Sequence, residues 1–137
     1  MEDEGLNAHA IVGNLLTSLA PSASLSAAEY YNFDLAVVGL GFHHFPDIPL
    51  ATQRLVERLR PGGVFMILDF VTHAMETDGS ANPSAHTVAH NGFSEDDLKG
   101  YFDGAGLTDF ALIRMGEEVS LRGHMKREPF LARARKA

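Results

Sequence analysis

Phe33-Asp34-Leu35-Ala36-Val37-Val38-Gly39-Leu40 is an almost unbroken apolar run, and its reading decides the fold. Strict alternation would suit a half-buried antiparallel strand. Continuity over this length predicts a strand covered on both faces, as in a parallel sheet. Downstream, Asp47 and Pro49 stand where an N-cap and a first helical turn belong, and Ala51, Leu55, Val56 and Leu59 recur at helical spacing. Pro61-Gly62-Gly63 stops that helix, and Val64-Phe65-Met66-Ile67-Leu68 is a second apolar run. Strand, helix, strand makes one right-handed crossover unit, which places the two strands parallel and near each other. The expected class is α/β with a mostly parallel sheet.

Further out, Ala8-His9-Ala10-Ile11-Val12-Gly13 reads as a short strand ending at Asn14. A Ser- and Ala-rich loop follows from Thr17, with one helical turn near Ala27 to Tyr30. Residues 71–92 carry no sustained period and are read as a lid segment within a single domain spanning 1–137. Ser94-Glu95-Asp96-Asp97 opens a helix whose apolar stripe is Leu98, Tyr101, Phe102 and Ala105, with Gly106 closing it in the left-handed region. Phe110 to Ile113 and Phe130 to Ala132 are expected to pair as an antiparallel hairpin at a sheet edge.

A chain of 137 residues with 45% hydrophobic content suits one domain with a core of its own, and the absence of cysteine removes disulfides and thiolate metal ligands together. The apolar runs fall far short of the roughly 18 residues a membrane span needs. The start, Met1-Glu2-Asp3-Glu4-Gly5, is acidic where a signal peptide would be basic, so a cytoplasmic protein is expected. The net charge of −7 divides unevenly. Up to Val119 there are 17 acidic and 5 basic residues, a net of −12; from Ser120 onward there are 6 basic and 1 acidic, a net of +5. Arg133 and Arg135 alternate with Ala132 and Ala134, which reads as the solvated face of an edge strand and not as a nucleic-acid site.

Several of these segments together carry a family resemblance. Phe33 to Asp47, then Leu55 to Val64 with its Leu59-Arg60-Pro61-Gly62-Gly63, then Leu68-Asp69-Phe70 look like the fourth and fifth strands of class I S-adenosylmethionine-dependent methyltransferases. The nearest style is that of the small-molecule enzymes of fungal secondary metabolism. Asn91-Gly92-Phe93-Ser94-Glu95 and Ala105 to Phe110 resemble the approach to the sixth strand, and Phe130 to Lys136 the closing one. The resemblance implies a truncated Rossmann-like methyltransferase fold, with equivalents of strands three, four and five followed by an antiparallel hairpin of six and seven. It covers nearly the whole chain. The Gly-rich turn after the first strand and the ribose-holding acid after the second have no counterpart here.

The resemblance also assigns roles. Val12-Gly13-Asn14-Leu15 resembles the end of the third strand, which implies S-adenosylmethionine contacts at Asn14 and Leu15, with Leu40 and Gly41 beside its methionine end. Removing the first two family strands leaves the fourth with a bare edge. The expected partners are therefore a second copy, as a homodimer or domain-swapped oligomer, or a full-length methyltransferase relative, besides a small-molecule substrate. The position of His44 in the family commonly faces cofactor or substrate.

Open α/β sheets bind ligands at the C-terminal ends of their strands. His44 is thus the expected general base and His73, just past the next strand, a second catalytic candidate. His43, Phe42, His86 and His90 are expected to line the substrate pocket, although core packing explains Phe42 equally well. His86 and His90 are four apart, but no zincin glutamate accompanies them and no metal is expected. Two alternatives stand beside methyl transfer. The fold serves a cofactor-independent isomerase, cyclase or lyase through its strand-end histidines, or it is a non-catalytic interaction module.

Overall fold

Strands β1, Phe33–Gly39, and β2, Leu59–Phe70, run parallel, with Leu35 opposite Val64 and Gly39 opposite Leu68. The computed structural model describes residue 5 and residues 7–17, 23–73, 89–123 and 125–137. Helix α1, Ile48–Val56, connects the two strands as the crossover rule requires. Asp47 caps it by accepting a hydrogen bond from the Leu50 amide at 3.0 Å, and Pro49 sits in its first turn. Leu59, read from sequence as the helix's last apolar residue, instead opens β2 opposite Phe33. The ladder register shifts between Phe33 and Leu35, where Pro61-Gly62-Gly63 forms an irregularity. Glycine is required at Gly63, since a Cβ there would lie 2.9 Å from the carbonyl oxygens of Arg60 and Phe33.

Helix α2, Glu95–Gly104, starts at Ser94, whose Oγ accepts from the Asp97 amide at 3.1 Å, and three acids occupy its positive end. After it come β3, Leu107–Arg114; a small two-stranded ribbon of β4, Val119–Leu121, and β5, Met125–Arg127; and β6, Pro129–Lys136. The main sheet has the order β1-β2-β6-β3, with β6 antiparallel to both neighbours. Three of its four strands therefore point the same way. The expected hairpin of the last two sheet strands is present, with the β4–β5 ribbon inserted in its connection.

Three expectations are corrected. Residues 8–13 form no strand: among the described residues no strand edge pairs with them, so their backbone has no ladder to join. β6 is an inner strand, not an edge. Its alternation survives, with Ala132 and Ala134 in the core, while Arg133 and Arg135 point away and both meet Asp109. Finally, β1 is not covered on both faces. Ala36 and Val38 pack against the core, whereas Phe33, Leu35 and Val37 are 43%, 50% and 56% exposed. The reason is that α1 and α2 both contribute to the core on one side, and among the described residues no helix covers the other.

That core is aromatic. Phe65 lies between Phe42 and Phe102, at centroid distances of 6.3 and 5.2 Å, and Phe42 touches Phe93 at 5.3 Å. All four are essentially buried, and burial of each such side chain contributes about 1.5–3 kcal/mol. This cluster fixes the C-terminal ends of β1 and β2, where the candidate site lies.

Candidate functional site

Beyond β1 the chain makes a sharp turn. Leu40 has a φ of 55°, uncommon for a residue with a side chain, and its amide donates to the Leu68 carbonyl at 2.8 Å. The turn drives Phe42 into the core and opens a 3₁₀ turn, Phe42–His44, that presents His43 to the end of β2. There the alternation that buries Phe65 and Ile67 puts Asp69 on the same inner face, fully buried.

Asp69 is held entirely by donors. Its Oδ2 accepts from the His43 amide at 3.1 Å and its Oδ1 from the Phe70 amide at 2.8 Å. His43 Nδ1 lies 2.9 Å from Oδ1 and 3.0 Å from Oδ2. Because the carboxylate oxygens act as acceptors throughout, Nδ1 is the ring nitrogen that donates to Asp69, which sets Nε2 at the opposite end of the ring. The His43 side chain is 15% exposed, and Asp69 fixes its ring at the Nδ1 end.

A second segment braces this arrangement. The amides of Ala89 and His90 both donate to the His43 carbonyl at 3.0 Å. Val71 and Phe93 form a parallel bridge, the Phe93 amide donates to the Phe70 carbonyl at 2.9 Å, and His73 donates its amide to the Asn91 carbonyl at 3.0 Å. Gly92, at φ 78°, makes the approach feasible, since a Cβ there would sit 2.4 Å from the Val71 carbonyl oxygen. The strand-like path of residues 71–73 and 89–93 thus places His73 and His90 on the same end of the sheet as His43.

The residues singled out from sequence fall into three groups. Phe42, His43, His44, Leu40 and Gly41 share the turn after β1, and the His43 and His44 rings lie 4.2 Å apart. The buried carboxylate engages His43, one residue before the expected base, while Phe42 supports the turn from within the core. His73 and His90 join through the backbone contacts above, and His90 also stacks beside Phe93 at 5.8 Å. Asn14 and Leu15 lie apart: Asn14 Oδ1 accepts from the Leu16 amide at 2.9 Å, and Leu15 faces the first half of β1. His86, and most of the expected lid, lie outside the described residues. Among the described residues no cluster of three metal-ligating side chains occurs, and no helix is long and apolar enough to cross a membrane. Asp69 was not among the expected site residues. Its signal was present in the period of two that carries Phe65 and Ile67 inward.

The backbone of the turn is open on its outer side. A Cβ built on Gly39 meets nothing within 4 Å, and one on Gly41 meets only Val38 and the Gly39 carbonyl at 3.7 and 3.9 Å.

No protein-family model and no curated protein matches the chain. Solved structures do. Haemonchus contortus phosphoethanolamine N-methyltransferase 2, solved with S-adenosylmethionine, superposes with a TM-score of 0.56 at 12% identity, covering 76% of this chain and 33% of that one. For a SAM-dependent methyltransferase of Thermotoga maritima the TM-score is 0.53 at 16% identity, with 78% and 57% covered. For one of Methanosarcina mazei the values are 0.52 and 18%, with 82% and 64% covered. The chain therefore spans between a third and just under two thirds of the length of these neighbours. Identities this low speak to architecture, and the architecture is the Rossmann-like fold of the class I S-adenosylmethionine-dependent methyltransferases.

Proposed function

We propose that the chain takes part in S-adenosylmethionine-dependent methylation of a small molecule, with His43 as general base and Asp69 as the residue that positions it. The observation that carries this reading is the buried Asp69 carboxylate on His43 Nδ1 at 2.9 Å, at the strand ends where ligands of this fold class bind. When bound, the cofactor supplies an electrophilic methyl group. The chain's own part is to hold an acceptor hydroxyl or amine in line and to take its proton on His43 Nε2. Asp69 then faces the imidazolium that results, and its three hydrogen bonds keep the ring from turning away.

Leu40 and Gly41 supply this chain's share of the cofactor contacts. The remaining share, the Gly-rich turn and ribose-holding acid, comes in this reading from a longer relative as partner chain, since a second copy of this sequence carries neither. Titration of S-adenosylhomocysteine into the purified chain tests the proposal. Saturable binding at about millimolar concentration, as a partial site gives, weakened by substitution at Gly41, supports it; absence of binding overturns it. The same oriented Nε2 favours one second reading, a proton-transferring isomerase or lyase without the cofactor. That reading predicts turnover which S-adenosylhomocysteine leaves untouched.

A further inference from the structure

One face of the main sheet packs against α1 and α2, and among the described residues the other is bare. Across this outer face the register aligns Gly39, Leu68, Leu131 and Ile113 in a single row, one residue from each strand. Val37, Met66, Arg133 and Ala111 form the row beside it. Met115 carries the face past the end of β3, its amide donating to the Pro129 carbonyl at 3.0 Å. Phe33, Leu35, Val37, Leu68, Ile113 and Met115 are all exposed, Ile113 by 71%. Side chains of this size and exposure present on the order of 600 Å² of apolar surface, the upper limit for a monomer and close to the roughly 800 Å² per partner of a standard interface.

Charge narrows the occupant. The chain has 18 acidic residues and a net charge of −7, so two copies repel wherever their acids face each other. Among the described residues of the four strands, the one acid on the outer face is Asp109, and Arg133 and Arg135 both meet it, at 3.3 and 3.4 Å. A basic partner therefore finds no free carboxylate on this face, and an acidic one finds both arginines already engaged. The three charges also lie to one side of the row formed by Leu68, Leu131 and Ile113, where they stay solvated at the rim. What the row fits is an apolar sheet face of its own kind, and a second copy of the chain supplies one.

We infer that two copies of this chain associate face to face through the outer side of the main sheet, as an isologous dimer with the sheets about 10 Å apart. The contact is the face of the sheet and not the bare edge of β1, and it is independent of the methylation reading.

Sedimentation velocity of the full chain over about 1 to 100 μM reads the association, and a dimer with a dissociation constant in that range is expected. It should tighten as added salt screens the repulsion between the two acidic chains. Ile113→Lys sets a charge in the apolar row and should weaken the dimer by at least about tenfold. Because Ile113 lies in a sheet strand, Met115→Lys, beyond the end of β3, is the second variant, with the same loss expected in a chain whose circular dichroism is unchanged. Val12→Lys is the control. Val12 is fully exposed between Ile11 and Gly13, which lie along β1, and its substitution should leave the dimer as it is. A chain still monomeric at the top of the concentration range overturns the proposal. So does a dimer that Val12→Lys weakens and Met115→Lys does not, which would place the contact at the edge of β1. A dimer that salt weakens overturns it too, since its contact would be one of charges. Binding of S-adenosylhomocysteine is a separate measurement, so this proposal and the methylation reading fail separately.

Discussion

His43 Nδ1 lies 2.9 Å from one oxygen of Asp69 and 3.0 Å from the other, across 26 residues of sequence, and that carboxylate accepts every polar group it meets. Asp69→Asn should therefore do more than remove a charge. A carboxamide has one acceptor oxygen where three donors converge, so its NH₂ must face either a backbone amide or Nδ1. The ring is the part free to adjust, by moving its proton to Nε2. Long-range proton–nitrogen NMR should show an Nδ1–H tautomer in the native chain and Nε2–H in the variant. The rate of any reaction that uses Nε2 as base should fall by about 10²- to 10⁴-fold. An unchanged tautomer would remove Asp69 from the positioning role.

Gly92 holds the brace over that pair in place. Replacement by alanine sets a methyl group 2.4 Å from the Val71 carbonyl oxygen and 2.7 Å from that of Phe70, at a φ that side chains rarely adopt. Both effects act on backbone, which cannot step aside as a side chain tip would. A loss of about 1–3 kcal/mol is expected. Hydrogen exchange localises it: the amides of Thr72 and His73, which donate to the Phe93 and Asn91 carbonyls, should lose protection first, while those of β6 keep theirs.

Much of this was legible in the sequence, for reasons that differ by element. The β1–α1–β2 unit follows from two apolar runs, a capping aspartate and a Pro-Gly-Gly stop, all of them local signals. What composition does not carry is the identity of a neighbour. Leu35 and Val37 are as apolar as any core residue, yet they are half exposed because the covering layer is set by elements elsewhere. Residues 8–13 have strand-like composition and no ladder to join. In the candidate site, position relative to the sheet is enough to bring His43, His44, His73 and His90 to one end of it. The choice between His43 and His44 depended on which of two adjacent side chains meets Asp69, and a 3₁₀ turn after a left-handed Leu40 decides that.

The aromatic core beneath the site gives a direct stability test. Phe65 is fully buried between Phe42 and Phe102, with ring planes tilted by 67° and 54°. Phe65→Ala removes both contacts and leaves a cavity under β2, at a cost of about 3–5 kcal/mol. Urea denaturation should show a lower midpoint with a similar slope. Phe65→Leu should recover a large part of the loss, because it refills volume without restoring the ring contacts.

Glu128 links the β4–β5 ribbon to the main sheet. Its carboxylate accepts from Arg114 Nε at 3.0 Å and from the Gly116 amide at 2.9 Å, just where the chain leaves β3. Hydrogen bonding by the Arg114 guanidinium holds the Glu128 carboxyl below its ordinary value, outweighing the opposite push of desolvation, and the Gly116 amide adds to it. A carboxyl depressed in the native state contributes stability above its unfolded value, about 4.3, and loses that contribution as the pH falls through the lower native one. The same hydrogen bond raises Arg114 above its already high ordinary value, so its contribution is complete at neutral pH and is lost only in strong alkali. Glu128→Gln should thus melt below the native chain at pH 7, and the gap should narrow as the pH drops below 4 and as salt is added. A gap that stays constant from pH 7 to pH 2 would mean that Glu128 acts through packing rather than through its charge.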